Sequence, residues 1–198
     1  LDASVIFEQL AMGCTTTTAM LTIHNMATWM IATWGSDEVR AKWCPSLVTG
    51  EQLASYCLTE PGAGSDAASL KTKAEKKQSG YILNGSKVFI SGAGETDVLV
   101  VMARTGGSGP KGVSAFAVPA NAPGISYGKK ERKMGWNAQP TRMIAFDNVE
   151  IDANWRLGEE GQGFKMAMQG LDGGRINIAT CSVGTAQQAL NLANAYLR

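Results

Sequence analysis

Tyr81-Ile82-Leu83-Asn84-Gly85-Ser86-Lys87-Val88-Phe89-Ile90 sets two short apolar runs on either side of an Asn-Gly dipeptide. Asn-Gly favours the left-handed backbone of a tight turn, so the stretch predicts two strands paired as a hairpin. Outward from it, period-two patterning extends from Ser55 to about Ile151, with Val98-Leu99-Val100-Val101 and Val113 to Val118 as further strands. Gly106-Gly107-Ser108-Gly109-Pro110-Lys111-Gly112 predicts a loose hairpin tip between those two. Strand follows strand with no helical stretch between them, which predicts an antiparallel sheet and argues against a doubly wound parallel one.

Helical spacing flanks the sheet on both sides. Val5, Ile6, Gln9, Leu10 and Met12 recur at three- and four-residue intervals, and the long Ala19 to Trp34 segment follows. Ser36-Asp37-Glu38 marks a fresh helix start that Ser36 or Asp37 can cap, and Pro45 predicts a break or an end in that helix. Three short helices packed together account for this region. After Gly158-Glu159-Glu160-Gly161-Gln162-Gly163 the helical period returns through Phe164, Met168, Leu171, Ile176 and Leu190, and is still running at Arg198. With no methionine at the start, the expectation is a piece of a longer protein.

Composition narrows the function. The 198 residues are 44% hydrophobic and 18% charged, with a formal net charge of +1, the profile of a soluble globular chain with a real core. Basic residues are dispersed apart from Lys71 to Lys77 and Lys129 to Lys133, so there is no footprint for nucleic acid. No apolar run nears the roughly 20 residues of a membrane span. Cys14, Cys44, Cys57 and Cys181 lie far apart and match neither a zinc pattern nor a disulfide scaffold, which predicts reduced, packed thiols. A single histidine, His24, excludes a multi-histidine metal site and leaves hydrolase readings weak. Among apolar helical neighbours it reads as a packed, hydrogen-bonded side chain.

The clearest candidate site is Tyr56-Cys57-Leu58-Thr59-Glu60-Pro61-Gly62-Ala63-Gly64-Ser65-Asp66. It alternates like a strand, then breaks into a Pro-Gly turn followed by a hydroxyl and a carboxylate. Such a loop exposes backbone N–H groups that can hold a carbonyl or an anionic oxygen, and Thr59 and Ser65 add hydroxyls. Lys87 to Gly94 is a second candidate. Taken alone, Phe89 reads as core. Beside the first loop, Phe89 and the Ser91 hydroxyl would cover one face of a planar heterocycle and bond its edge.

Other motifs fail on inspection. Gly92-Ala93-Gly94-Glu95-Thr96-Asp97 starts like a dinucleotide fingerprint but ends in Asp and predicts no helix after it; Gly62-Ala63-Gly64-Ser65 lacks the Lys-Ser/Thr of a P-loop. Asp172 and Arg175 lie three apart, which alone reads as a surface ion pair. Gly173 and Gly174 inside a helix each cost about 1 kcal/mol against Ala, which points to a close approach to the backbone there.

Together, Tyr56 to Asp66, Phe89-Ile90-Ser91, Met134-Gly135-Trp136 with Pro140-Thr141-Arg142, Gly161-Gln162-Gly163-Phe164 and Leu171 to Arg175 resemble the acyl-CoA dehydrogenase family along essentially the whole chain. His24-Asn25-Met26, Gly92 to Glu95 and Gly173 to Asn177 resemble most its branch acting on isobutyryl-CoA in valine catabolism. The resemblance implies an α+β, multi-domain chain. Residues 1–54 would end an N-terminal helical domain, 55–158 form an antiparallel β-barrel-like middle domain, and 159–198 begin a C-terminal helical bundle. It implies FAD held by Tyr56, Cys57, Leu58, Thr59, Gly64, Ser65, Phe89, Ile90 and Ser91. An acyl-CoA would be held by Ser65, Asp172, Gly173, Gly174 and Arg175. Phe89 and Ser91 stand where many relatives carry Trp and Thr, and Asn137 where other branches carry Arg. The implied reaction is α,β-dehydrogenation, isobutyryl-CoA to methacrylyl-CoA, with electrons passed to an electron-transfer flavoprotein by a homotetramer of the mitochondrial matrix or bacterial cytoplasm. The base of this family is a glutamate expected beyond Arg198, so this polypeptide alone is expected to be inactive. An acyl-CoA oxidase, or a silent CoA- or flavin-binding module on the same scaffold, is the alternative.

Overall fold

The computed structural model describes residues 2–198. Three helices come first: α1 (Asp2–Gly13), α2 (Thr15–Trp34) and α3 (Asp37–Thr49). Ser36 caps α3, its Oγ accepting from the Val39 N–H at 3.2 Å, and Asp37 and Glu38 complement the positive end of the helix. Pro45 does not end α3 but lies inside it. An internal proline costs about 3 kcal/mol; here the buried anchors Val39, Trp43 and Leu47 on either side of it hold the helix together.

The strands are β1 (Ala54–Cys57), β2 (Lys73–Lys77), β3 (Gly80–Ser91), β4 (Val98–Arg104), β5 (Val113–Pro119), β6 (Ile125–Tyr127), β7 (Thr141–Asp152) and β8 (Arg156–Leu157). They form one sheet in the order β6-β7-β3-β2-β4-β5-β8, and β1 joins β4. The sheet is mixed rather than purely antiparallel: β1 runs parallel to β4, Ala54 opposite Val98 through Cys57 opposite Val101, and Lys73 makes one parallel bridge to Arg104. A parallel pair needs a long crossover. Here the intervening chain, with β2 and β3, supplies it instead of a helix, and single-strand patterning carries no record of direction.

The Asn84-Gly85 turn is also overturned. β3 runs unbroken through it and pairs with β7, while the tight turn falls at Gln78-Ser79, between β2 and β3. Between Leu83↔Val149 and Gly85↔Phe146 the single Asn84 faces Asp147 and Asn148; between Lys87↔Ile144 and Ile90↔Arg142, Val88 and Phe89 face the single Met143. These are two bulges on opposite strands. The Asn-Gly chemistry serves the first. Asn84 Oδ1 accepts from the Asn148 N–H at 2.8 Å, and at Gly85 (φ +145°) a Cβ would come within 2.6 Å of Thr72 Oγ1.

β4 is buried on both faces, so it reads as a continuous apolar run. Val98, Val100 and Met102 face a core shared with α2, α3 and the start of α4 (Gly163–Tyr196), while Leu99, Val101 and Ala103 face a second core with Leu83, Phe116, Ile144 and Phe146. The 34-residue α4 lies along α1 and α2. Gly184 makes one of these approaches possible, since a Cβ there would sit 2.2 Å from the Glu8 carbonyl oxygen.

The Lys71 to Lys77 run is a solvated strand and turn as expected, with only Thr72 and Ala74 buried. Of the cysteines, all free, Cys57 and Cys181 are packed as expected, Cys44 is half-buried, and Cys14 is exposed between α1 and α2.

Candidate cofactor and substrate cleft

The end of β1 and its following loop, the end of β3, α2 and α4 enclose an open cleft of about 810 Å³. Tyr56, Leu58, Thr59, Gly64 and Ser65 line it from the loop, Phe89, Ile90 and Ser91 from β3, Ile23 and Met26 from α2, and Met168, Leu171 and Arg175 from α4. Every position expected at the cofactor is therefore in one place except Cys57. The Cys57 side chain belongs to the second core, fully buried; burial, partly offset by the nearby Lys87 charge, pushes its thiol up to about 12. Only its backbone can face the cleft.

Arg175 reaches the cleft from α4, but the other positions expected at the substrate divide. Gly173 and Gly174 line a neighbouring cavity of about 550 Å³ with Phe7, Met26, Trp29, Gly170 and Asn177, and Asp172 is exposed and lines neither. Met26 borders both spaces. The Asp172–Arg175 surface ion pair does not form among the described residues, although both lie on one continuous helix. The close approach expected at the two glycines is not found among the described residues: at Gly174 a Cβ would stand at an ordinary 3.4 Å from Met26 Sδ, and Gly173 has open space.

Phe89 is not core. It is 66% exposed and sits at φ +58°, in the left-handed region that a bulky side chain seldom occupies. Such a backbone costs roughly 1–3 kcal/mol and persists only where its surroundings enforce it. The β3 bulge enforces it here, turning Lys87 and Ile90 inward and leaving the aromatic ring between them on the cleft side.

The wall is braced from behind. Lys87, with no exposed surface, donates from Nζ to Glu60 Oε1 at 2.8 Å and to the Leu58 carbonyl at 3.0 Å. Glu60 also accepts from the Lys71 N–H at 2.6 Å and the Thr72 N–H at 2.9 Å, and the Val88 N–H donates to the Thr59 carbonyl at 2.9 Å. Burial alone would raise the Glu60 carboxyl; the Lys87 charge and these bonds outweigh it and hold the group below the usual carboxylate range. Burial weakens the Lys87 ammonium, and Glu60 restores part of the loss. The sequence reading passed over this pair. Its one signal is a lysine set directly before the apolar Val88-Phe89-Ile90 run of β3.

Two further bonds seat β1. The Ala54 N–H donates to His24 Nδ1 at 3.1 Å, so the proton is on Nε2, which donates to the Leu47 carbonyl at 2.9 Å. His24 is the packed, bonded histidine expected. Tyr56 Oη donates to the Ala167 carbonyl at 3.1 Å, tying β1 to α4, and burial raises its phenol well above the ordinary range.

The cleft is built to bind. It offers one aromatic face, apolar side walls and one fixed positive charge at Arg175. Among the described residues, the hydroxyls of Thr59, Ser65 and Ser91 bond no other protein group, no carboxylate or thiol side chain lines the cleft, and no group of three metal-ligating side chains occurs.

Comparison with known proteins agrees along the chain. Residues 1–51 match the family model of the acyl-CoA dehydrogenase N-terminal domain, 55–149 that of the middle domain and 161–198 that of the C-terminal domain. A mitochondrial isobutyryl-CoA dehydrogenase of Bos taurus is 57% identical over the whole chain, which covers 48% of that protein. Butyryl-CoA dehydrogenase from Megasphaera elsdenii superposes with TM-score 0.93 at 39% identity, over 98% of this chain and 51% of that one. A chain in the structure of the electron transferring flavoprotein of Acidaminococcus fermentans superposes with TM-score 0.94 at 38% identity, over 98% and 51%. The chain thus spans about half the length of the curated relatives it matches.

Proposed function

The chain belongs to the acyl-CoA dehydrogenase family, and on that premise we propose that it forms one wall of the active site of a dehydrogenase acting on a short branched acyl-CoA, isobutyryl-CoA. The observation that carries this reading is the meeting of the Thr59, Phe89 and Ser91 wall with Arg175 of α4 across a single cleft.

The residues fit FAD. Phe89, held outward by its bulge, offers a ring face, and the unpartnered hydroxyls of Thr59 and Ser91 can bond the polar edge of a flavin. When bound, FAD supplies the two-electron acceptor for the hydride that leaves the β-carbon. Ser65 and Arg175 would meet the CoA portion, the latter through its charge and planar donor fork. Asp172, Gly173 and Gly174 would border its path along α4. Reaction requires loss of the α-proton to a carboxylate as the β-hydride departs and the carbon–carbon double bond forms. No carboxylate lines the cleft among the described residues, so that base is proposed to be a glutamate supplied beyond Arg198 in the full-length protein. In the same reading the electrons pass to an electron-transfer flavoprotein and the protein is a homotetramer of the mitochondrial matrix or bacterial cytoplasm. Among the described residues, no helix is long and apolar enough to cross a membrane.

Anaerobic mixing of the full-length flavoprotein with isobutyryl-CoA tests the proposal: the flavin absorbance should bleach and return only slowly on admitting air. Rapid reoxidation with peroxide would make the protein an oxidase, and no bleaching would leave it a binding module.

A further inference from the structure

Behind the cleft wall lies a charged group that the proposed reaction does not use. Lys87 has no exposed surface and Glu60 only 7%, yet neither touches the cleft. A buried ion pair is poor evidence of a stability gain, because desolvating two charges costs about as much as their attraction returns. Its value here lies in what it connects. The Glu60 carboxylate gathers the Lys71 and Thr72 N–H groups ahead of β2 and the ammonium of β3, while Lys87 also holds the carbonyl of Leu58. Glu60 further exchanges two backbone bonds with Ala63, each 3.1 Å, which close the Pro61-Gly62 turn immediately before Gly64 and Ser65.

From these bonds we infer that Glu60 and Lys87 are positioning residues for the cofactor wall: they set the β3 bulge that turns Phe89 into the cleft and fix Thr59 opposite it. The link is direct at both ends. Leu58 and Phe89 are chain neighbours of Thr59 and Val88, and those two are themselves joined by the Val88 N–H to Thr59 carbonyl bond at 2.9 Å. Without the ammonium pulling Lys87 inward, the strand could drop its extra residue and return Phe89 to the ordinary alternation, away from the ring it is to cover. The inference rests on the flavin reading above.

The test uses the full-length protein and the double variant Glu60→Gln/Lys87→Met, which removes both charges at similar volume so that neither is left buried alone. The double variant should keep its far-ultraviolet dichroism and melt close to the parent, yet bind free FAD about tenfold more weakly and shift the visible band of the bound flavin. Unchanged FAD affinity and an unchanged flavin band in the folded variant would overturn the inference. Should the double variant not fold, Glu60→Gln/Lys87→Leu, which likewise leaves no charge buried alone, is read the same way. A parent protein that binds no FAD overturns the flavin reading itself, and this inference with it.

Discussion

Phe89 and Asn148 carry the two left-handed bulges of the β3–β7 pair, at φ +58° and +52°, and each restores the register that the other removes. The strands are therefore in phase at both ends, Gly80 opposite Asp152 and Ser91 opposite Thr141, and out of phase only between the bulges. Within that window Lys87 points inward, and at its edge Phe89 points into the cleft.

Asn148 tolerates the left-handed region, and its N–H is held by Asn84 Oδ1. A β-branched side chain does not tolerate it, so Asn148→Val should lower stability by about 1–2 kcal/mol, while Asn148→Gly should stay near the parent. Urea midpoints of the three proteins check this.

Phe89→Gly relieves the backbone strain as it deletes the ring. Stability should remain within about 1 kcal/mol of the parent, whereas FAD affinity should fall by about tenfold. A titration that follows flavin fluorescence and a denaturation curve separate the two effects.

The Ser91 carbonyl accepts from Ser55 Oγ at 2.7 Å, and the Ser91 hydroxyl is left for the cleft. Ser91→Ala should thus melt like the parent and lose up to about tenfold in FAD affinity or in the rate of flavin reduction. If both values hold, Ser91 has no place in the site.

Gly174 and Gly163 should respond in opposite directions to alanine. At Gly174 the new Cβ meets Met26 Sδ at an ordinary 3.4 Å, so Gly174→Ala should stabilise α4 by up to about 1 kcal/mol while narrowing the cavity beside the cleft and weakening thioester binding. At Gly163 the Cβ would lie 2.4 Å from the Ser114 backbone, and Gly163→Ala should cost about 1–3 kcal/mol. Thermal melts with and without isobutyryl-CoA report both.

Burial would raise the Glu60 carboxyl, but the Lys87 charge and hydrogen bond and the Lys71 and Thr72 N–H donors hold it below its ordinary value of 4.5. A depressed carboxyl contributes stability that is complete above the unfolded value and is lost as pH falls through the folded one. Stability should therefore decline below about pH 4.5 more steeply in the parent than in Glu60→Gln, measured as urea midpoint against pH.

Much of this was legible from local pattern. The helix start at Ser36, the β4 and β5 strands with their glycine-rich tip, and the long final helix follow from capping, alternation and period, which are properties of neighbouring residues. The cleft loop was legible for the same reason, since Pro61, Gly62 and Gly64 announce a turn whatever surrounds it. Taken alone, Phe89 reads as core because an aromatic between Val88 and Ile90 is normally packed inward; only the loop beside it points to the cleft, and the bulge that exposes it lies in the pairing with β7. Asn84-Gly85 was misread because left-handed tolerance serves a bulge as well as a turn.

The sequence by itself determined which segments are helix or strand and which loop carries ligand-ready groups, because dihedral preference and apolar period act over a few residues. Only the tertiary structure decided the parallel entry of β1, the cancelling bulges, the Glu60–Lys87 pair and the meeting of Arg175 with Phe89. Each joins residues far apart in the chain, and burial and hydrogen-bond satisfaction select among arrangements that local preference leaves equal.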